Sequence, residues 1–238
     1  MSKTRVVVVG GGSGMGRSTA RMLAAKGNYE VAIGGRTLEK LNEAAEGNSI
    51  HVHTVDVADR KSVDVFFQWA EKELGGPVDV MINAAGINIP NRSMQMMSPE
   101  QWDEIIAVNL TGAYNCMLAI LSNMRSRKNG LIINISSVAG KRAIPSGVAY
   151  SVSKFGMTAL GTCVSNEAAE DGVRVTIVYP GEVDTPILNQ RPAPVTDEHR
   201  ARMLKADHVG ELIVSLIELP REVHVPEVVV KPLTQQWY

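Results

Sequence analysis

The sequence predicts an α/β protein built on a doubly wound parallel sheet of about seven strands, with helices on both faces. Three observations carry that expectation. Short β-branched runs without alternation, Val6-Val7-Val8-Val9 first among them, read as strands buried on both faces. They alternate with stretches of helical character, an order that right-handed crossovers turn into a parallel sheet. Glycines crowd the first strand-to-helix junction, where such folds bind ligands.

After strand Val6–Val9 and its glycines, a helix is expected over Arg17–Lys26, then strand Glu30–Ile33 and helix Leu38–Glu46. Strand His51–Val55, helix Arg60–Leu74 and strand Val78–Ile82 repeat the unit. A long helix from Pro99 to Met124, strand Leu131–Ile135, a second long helix Val148–Glu170 and strand Val173–Val178 follow. A helix Ala206–Glu218 and strand Glu227–Val230 close a Rossmann-type arrangement. Between them, residues 186–205 hold Pro192, Pro194 and several charges but no long apolar run, which predicts a mobile flap over a site.

With 238 residues and no linker or internal repeat beyond the strand–helix unit, residues 1–238 read as one dinucleotide-binding domain. Hydrophobic residues at 45% and charged residues at 21% argue for a packed core and against disorder. Lys and Arg number 24 against 25 Asp and Glu, so no global field pulls the chain to nucleic acid or to an anionic membrane. No apolar run is expected to reach the roughly 18 residues of a membrane span, and the expected location is the cytoplasm. Cys116 and Cys163 lie far apart in apolar helical stretches and read as packed thiols rather than a disulfide or metal ligands.

Three motifs carry chemistry. The loop Gly10-Gly11-Gly12-Ser13-Gly14-Met15-Gly16 fits G-x-x-x-G-x-G through Gly10, Gly14 and Gly16. Glycines let the backbone approach a pyrophosphate closely, and the free N–H groups of the following helix face it. At the end of the second strand, Gly35 stands where an acidic residue would bond the ribose of NAD, and Arg36 follows where a guanidinium can pair with the 2′-phosphate of NADP. Tyr150 and Lys154 are four residues apart at the start of a helix, hence on one face. An ammonium near a phenol stabilises the phenolate and should lower its pKa toward that of a usable acid. Ser136-Ser137 end a buried strand at the sheet edge where doubly wound folds place ligands.

Read together and in register, these residues closely resemble the short-chain dehydrogenase/reductase (SDR) family. The resemblance runs through the glycine motif, Asp56-Val57, Asn83-Ala84-Ala85-Gly86, Asn109, Ser137, Tyr150 with Lys154, and Pro180-Gly181 followed by Thr185. It implies that Ser137 binds the substrate oxygen, Tyr150 passes the proton, Lys154 assists it and holds the nicotinamide ribose, and Asn109 maintains a helix distortion with a water that links Lys154 to solvent. It further implies cofactor contacts from Gly10, Gly12, Ser13, Gly14, Met15, Gly16, Arg36, Asp56, Val57, Asn83, Ala84, Ala85, Gly86, Tyr150, Lys154, Pro180, Gly181, Val183 and Thr185. Asp56 would meet the adenine, and Thr185 with the backbone at Val183 the carboxamide. Val9 replaces the family's usual threonine, which puts the rigidity of the glycine loop in doubt. Ala84 replaces the second asparagine of its N-N-A-G, and Ser13 stands where many NADPH-dependent members carry a basic residue. The stretch from Glu218 to Pro232 is similar to the ending of members that act on serine and 3-hydroxy acids.

The expected function is hydride transfer between NADP(H), with NAD(H) as the alternative, and a carbonyl or secondary alcohol of a small, polar substrate. The rivals are an NAD-dependent alcohol dehydrogenase of the same family and a non-catalytic nucleotide-sensing regulator on the same fold. No metal site is expected: His51 and His53 share one side of a strand but have no third ligand nearby. Arg191, His199, Arg200 and Arg202 in the flap read as solvated, and Ile105, Val108, Tyr114, Met117 and Leu121 as core or subunit face. A homo-oligomer, in particular a tetramer, is the expected assembly.

Overall fold

The computed structural model describes residues 3–143 and 147–236. Seven parallel strands form one sheet in the order β3-β2-β1-β4-β5-β6-β9. They are β1 (Thr4–Val9), β2 (Tyr29–Gly35), β3 (Ile50–Thr54), β4 (Val80–Asn83), β5 (Gly130–Ile135), β6 (Val173–Pro180) and β9 (Glu227–Val230). The order reverses between β1 and β4, which opens a crevice at the carboxyl ends of the strands, the place where such sheets hold ligands.

The four valines of β1 show why the sheet is buried on both sides. Val7 and Val9 enter one core with Phe66, Phe67, Met117 and Val175. Val6 and Val8 enter another with Leu23, Leu41, Ile33 and Ile213. Alternate side chains of a strand point to opposite faces, so a run that feeds two cores must be apolar throughout. Each of these side chains, fully withdrawn from water, contributes about 1.5–3 kcal/mol. Helices α3 (Arg60–Glu73), α5 (Gly112–Ser126) and α6 (Val148–Ala168) cover the first face. Helices α1 (Gly14–Lys26), α2 (Leu38–Ala45) and α8 (Ala206–Ile217) cover the second. There Gly210 of α8 lets Ser18 of α1 approach, and Ser18 donates to Asp207 at 2.6 Å.

The long helix expected from Pro99 to Met124 is not one α-helix. It runs as α4 (Pro99–Ile106), a π-helical segment Ala107–Thr111, and α5. The helical stretch Pro99–Ser126 contains a window that is long and apolar enough to cross a membrane, contrary to the expectation that no run would qualify; half of that window is buried inside the fold. Such a helix satisfies the same apolar requirement by packing on a sheet. Ile105, Val108 and Met117 are buried, whereas Tyr114 and Leu118 are exposed, as are Val148, Val152 and Phe155 on α6.

The flap is more ordered than its composition suggests. Residues 186–205 contain a 3₁₀ turn Pro186–Gln190, helix α7 (Asp197–Arg202) and strand β8 (Leu204–Lys205), which pairs with β7 (Val183–Asp184). Leu188 and Met203 are its buried anchors.

Candidate active site

The glycine loop between β1 and α1 is shaped by contacts that exclude side chains. Gly10 has φ +82°, and a Cβ there would lie 2.6 Å from the backbone of Ala84; a Cβ on Gly16 would collide with the Gly10 carbonyl. The loop needs no threonine at position 9 to hold it. Gly10 and Gly11 donate to the Gly34 carbonyl at 2.7 and 3.1 Å, and Ala84 donates to the Val9 carbonyl at 2.8 Å. Ser13 precedes α1 in an extended conformation and makes no capping bond, and no acidic residue lies in the first turn. By contrast, Asp59 and Ser98 cap α3 and α4. The first helical amides of Gly14, Met15 and Gly16 are thus left for an external anion. This cradle fits a dinucleotide pyrophosphate.

Beside the loop lies a cleft of about 190 Å³ bounded by Gly10, Gly12, Ser13, Gly35, Arg36, Lys40, Asp56, Val57 and Ala84 to Gly86. Asp56 accepts from Ala58 N through Oδ1 at 3.0 Å, so its second carboxylate oxygen has no partner among the described residues. Val57 packs on Gly112 as well as lining the cleft. Asn83 is buried and braces the sheet, donating to Asn134 of β5 at 3.4 Å. The sequence pattern marks Arg36 as a cation for this cleft. Lys40, on the first turn of α2, lines the same cleft, and neither cation is in an ion pair among the described residues. The signal was present in the sequence: a lysine just inside the helix that follows the Arg36 loop faces back toward the glycines.

At the centre of the crevice, Ser137 follows β5, and Tyr150 and Lys154 lie on the first turns of α6. The Ser137 hydroxyl faces the Tyr150 phenol and pulls its pKa down, and it accepts from Ala139 N at 3.1 Å. Lys154 is buried, donates to the Ile135 carbonyl at 3.1 Å, and places Nζ 5.7 Å from the Tyr150 ring centroid. Burial pulls its ammonium down to about 8. Burial also raises the Tyr150 phenol above its ordinary value; the Ser137 hydroxyl and the charge of Arg92 oppose that rise. The expectation that Lys154 would bring the phenol down is therefore corrected. Removal of the phenol from water outweighs the lowering influences, and the cation that acts on it through charge is Arg92.

Asn109 lies in the π segment and is fully buried. Its Oδ1 accepts from Ile87 N at 2.8 Å, and its Nδ2 donates to the Ile87 carbonyl at 3.0 Å and to Ser153 Oγ at 3.1 Å. Gly86 stands beside both groups: a Cβ there would lie 3.4 Å from Lys154 Nζ and 3.5 Å from Asn109 Oδ1. The widened turn thus aims an amide at the strand-end backbone that borders Lys154.

A larger cleft of about 1010 Å³ opens from Ser137 and Tyr150 and is roofed by the flap. Pro180, Gly181, Val183 and Thr185 form one wall. Thr185 faces the glycine loop closely enough that a Cβ on Gly14 would meet its Cγ2 at 3.3 Å. The flap cations are paired rather than simply solvated. Glu182 binds Arg191 at 2.7 Å and His199 at 2.9 Å, and Asp184 binds Arg200 at 2.6 Å and Lys205 at 2.9 Å. Burial pushes the Glu182 carboxyl up, but the hydrogen bonds from Arg191 and His199 outweigh it and hold it below the ordinary range.

The remaining candidates are structural. His53 packs at a tilt against Trp69 with ring centroids 4.8 Å apart, and His51 lies 3.7 Å from Glu73. Cys116 is buried, with its thiol pushed up to about 12, whereas Cys163 on α6 is exposed, contrary to the expectation of a packed thiol; both are free. Among the described residues no three His, Cys, Asp or Glu are grouped to hold a metal.

Residues 4–195 match the short chain dehydrogenase family. An uncharacterized oxidoreductase of Staphylococcus aureus strain USA300 is 32% identical over 230 residues, covering 95% of this chain and 96% of its own. Among solved structures, an alcohol dehydrogenase of the archaeon Thermococcus sibiricus, complexed with 5-hydroxy-NADP, superposes with a TM-score of 0.88 at 29% identity over the full length of both chains. A metagenomic short-chain oxidoreductase in complex with NADP gives a TM-score of 0.82 at 29% identity, covering 98% of this chain and 99% of its own. The chain belongs to the short chain dehydrogenase family.

Proposed function

We propose that this short chain dehydrogenase is a cytoplasmic, homotetrameric, NADPH-preferring oxidoreductase acting on a carbonyl or secondary alcohol of a small substrate. The observation that carries the reading is the meeting of Ser137, Tyr150 and Lys154 at the foot of one cleft, beside a helix N-terminus left uncapped. The nicotinamide cofactor supplies or accepts the hydride when bound. Gly10 to Gly16 would hold its pyrophosphate, Arg36 and Lys40 its 2′-phosphate and Asp56 its adenine, with Ala84 to Gly86 beside the adenosine and Thr185 and the Val183 backbone at the carboxamide.

In the reducing direction, the Ser137 hydroxyl donates a hydrogen bond to the substrate oxygen and fixes it beside Tyr150. The phenol, raised by burial, is protonated at neutral pH, the form needed to deliver a proton to that oxygen. The phenolate left behind is stabilised by the positive charge of Arg92, while Lys154 would hold the nicotinamide ribose. Asn109 holds the Ile87 backbone and with it the rear wall of the proton path.

The test is a screen of the purified protein with NADPH and NADH against small ketones, aldehydes and keto acids, following absorbance of the reduced cofactor. Tyr150→Phe should lower turnover at least about a hundredfold with cofactor affinity little changed. Wild-type turnover in that variant would refute the mechanism.

A further inference from the structure

Four basic side chains line the large cleft, and three of them face a carboxylate. Arg191 and His199 share Glu182, and Arg202 lies 3.8 Å from Glu198. Arg92 differs. Among the described residues it faces no carboxylate, although it is half-buried in the segment between β4 and α4.

Its orientation is fixed from several sides. Nε donates to the Ile89 carbonyl and Nη2 to the Gln190 carbonyl, each at 2.8 Å, so the guanidinium bridges the body of the domain and the flap. The stem lies against Gly147, where a Cβ would come within 3.0 Å of Arg92 Cβ, and the Arg92 carbonyl accepts from Val148 N at 3.1 Å. Two of five N–H donors are used, and the others have no protein partner among the described residues. Burial first, and then the charge of Arg191, pull this guanidinium below its ordinary value, while the Tyr150 phenol acts in the opposite sense. The cation and the candidate acid therefore sense one another within one cleft.

We propose that Arg92 is a substrate-binding residue that selects carbonyl or hydroxy compounds bearing a carboxylate, which its free N–H groups grip as the reacting oxygen rests on Ser137 and Tyr150. The inference rests on the oxidoreductase reading of the site and names its substrate class. A partly desolvated cation without a counterion is costly, and an anionic ligand removes that cost. The planar fork matches a carboxylate in two parallel bonds. One unmatched positive charge suits a monoanion; a phosphate dianion would bring a second negative charge toward Glu182 on the same cleft. Because Arg92 also holds the Gln190 carbonyl, the bound carboxylate would sit under the flap.

The experiment compares short 2- and 3-keto acids with their methyl esters, using NADPH and the purified protein. In the unmodified enzyme kcat/KM for the acid should exceed that for its ester by about ten- to a hundredfold. Arg92→Gln should bring the ratio close to one, and Arg92→Lys, which keeps the charge and loses the fork, should fall between them. An ester equal to its acid in the unmodified enzyme, a ratio that persists in Arg92→Gln, or a phosphorylated ketone that outperforms the acid would overturn the proposal. Calorimetric titration of each protein with the saturated carboxylic acid, in the presence of NADP, gives a readout that needs no turnover. If neither acid nor ester is reduced, the oxidoreductase reading fails. Carboxylate binding that disappears in Arg92→Gln would then still support the site, and no binding to the unmodified protein would overturn it.

Discussion

Replacing Lys154 with methionine should abolish activity and stabilise the fold. The lysine is 3% exposed, and its ammonium donates to the Ile135 carbonyl at 3.1 Å. A fall of its pKa from 10.5 to about 8 corresponds to roughly 3 kcal/mol of penalty on the charged form, at about 1.4 kcal/mol per pH unit. Methionine removes that penalty but leaves the Ile135 carbonyl without a donor, which costs about 1–2 kcal/mol. The expected net gain at neutral pH is about 1–2 kcal/mol, or a rise in Tm of about 2–8 °C for a chain of this size. Its pH dependence is diagnostic. Between about 8 and 10.5 the unfolded chain holds the lysine proton and the native protein releases it, so wild-type stability rises through that window. The gap between variant and wild type should be full below about pH 8 and shrink steadily as 10.5 is approached. Urea unfolding followed by circular dichroism across this range, at one protein concentration, measures it. A variant less stable than wild type at neutral pH, or a gap that does not change with pH, would refute the reasoning.

Three further outcomes are expected. NADPH should be preferred over NADH by about ten- to a hundredfold, and Arg36→Ala and Lys40→Ala should each erode the ratio. Gly35→Asp with Arg36→Ser should invert it, since a Cβ at Gly35 meets only Leu41 Cδ2 at 3.5 Å; a higher kcat/KM with NADH in the unmodified enzyme would contradict the assignment. Amide exchange across 186–205 should slow when cofactor and substrate are added, and equal exchange in both states would count against gating. Glu182 and Asp184 hold the flap with carboxyls below the ordinary range, so their pairs with Arg191, Arg200 and Lys205 persist at neutral pH and are lost only as pH falls through those depressed values. Light scattering at micromolar concentration should report a tetramer that Leu118→Glu or Val152→Glu disrupts, both side chains being exposed and apolar; a monomeric wild type would refute the assembly.

The parts legible in the sequence were those that local spacing determines. The unbroken valines of β1 announced a doubly covered strand, the glycines announced a close backbone approach, and four-residue spacing put Tyr150 and Lys154 on one face. What escaped depended on distant segments meeting. Arg92 gains its meaning from Tyr150 and from Gln190, 98 residues away in sequence, and no local pattern marks it. Lys40 reads as an ordinary helix lysine until the glycine loop is folded against α2. The flap has few apolar residues, yet its order comes from Glu182 and Asp184, which precede it and tie down cations within it. The phenol of Tyr150 was misjudged for the same reason: charge spacing is visible in a sequence, but desolvation is a property of the assembled cleft.

The π segment Ala107–Thr111 acts as a phase adjuster. Successive residues of an α-helix advance by about 100°, so one wide turn offsets everything downstream relative to everything upstream. Upstream, Ile105 packs inward; within the segment, Asn109 reaches Ile87 and Ser153; downstream, Cys116 and Met117 face the sheet while Tyr114 and Leu118 face out. An uninterrupted helix could satisfy the amide or the downstream core, but not both. Deleting one residue here would rotate α5 as a unit and carry its outward apolar stripe with it. The reach of the Asn109 amide to Ile87 and Ser153 and the outward placement of Tyr114 and Leu118 are therefore set by the same irregular turn, and neither can drift without disturbing the other.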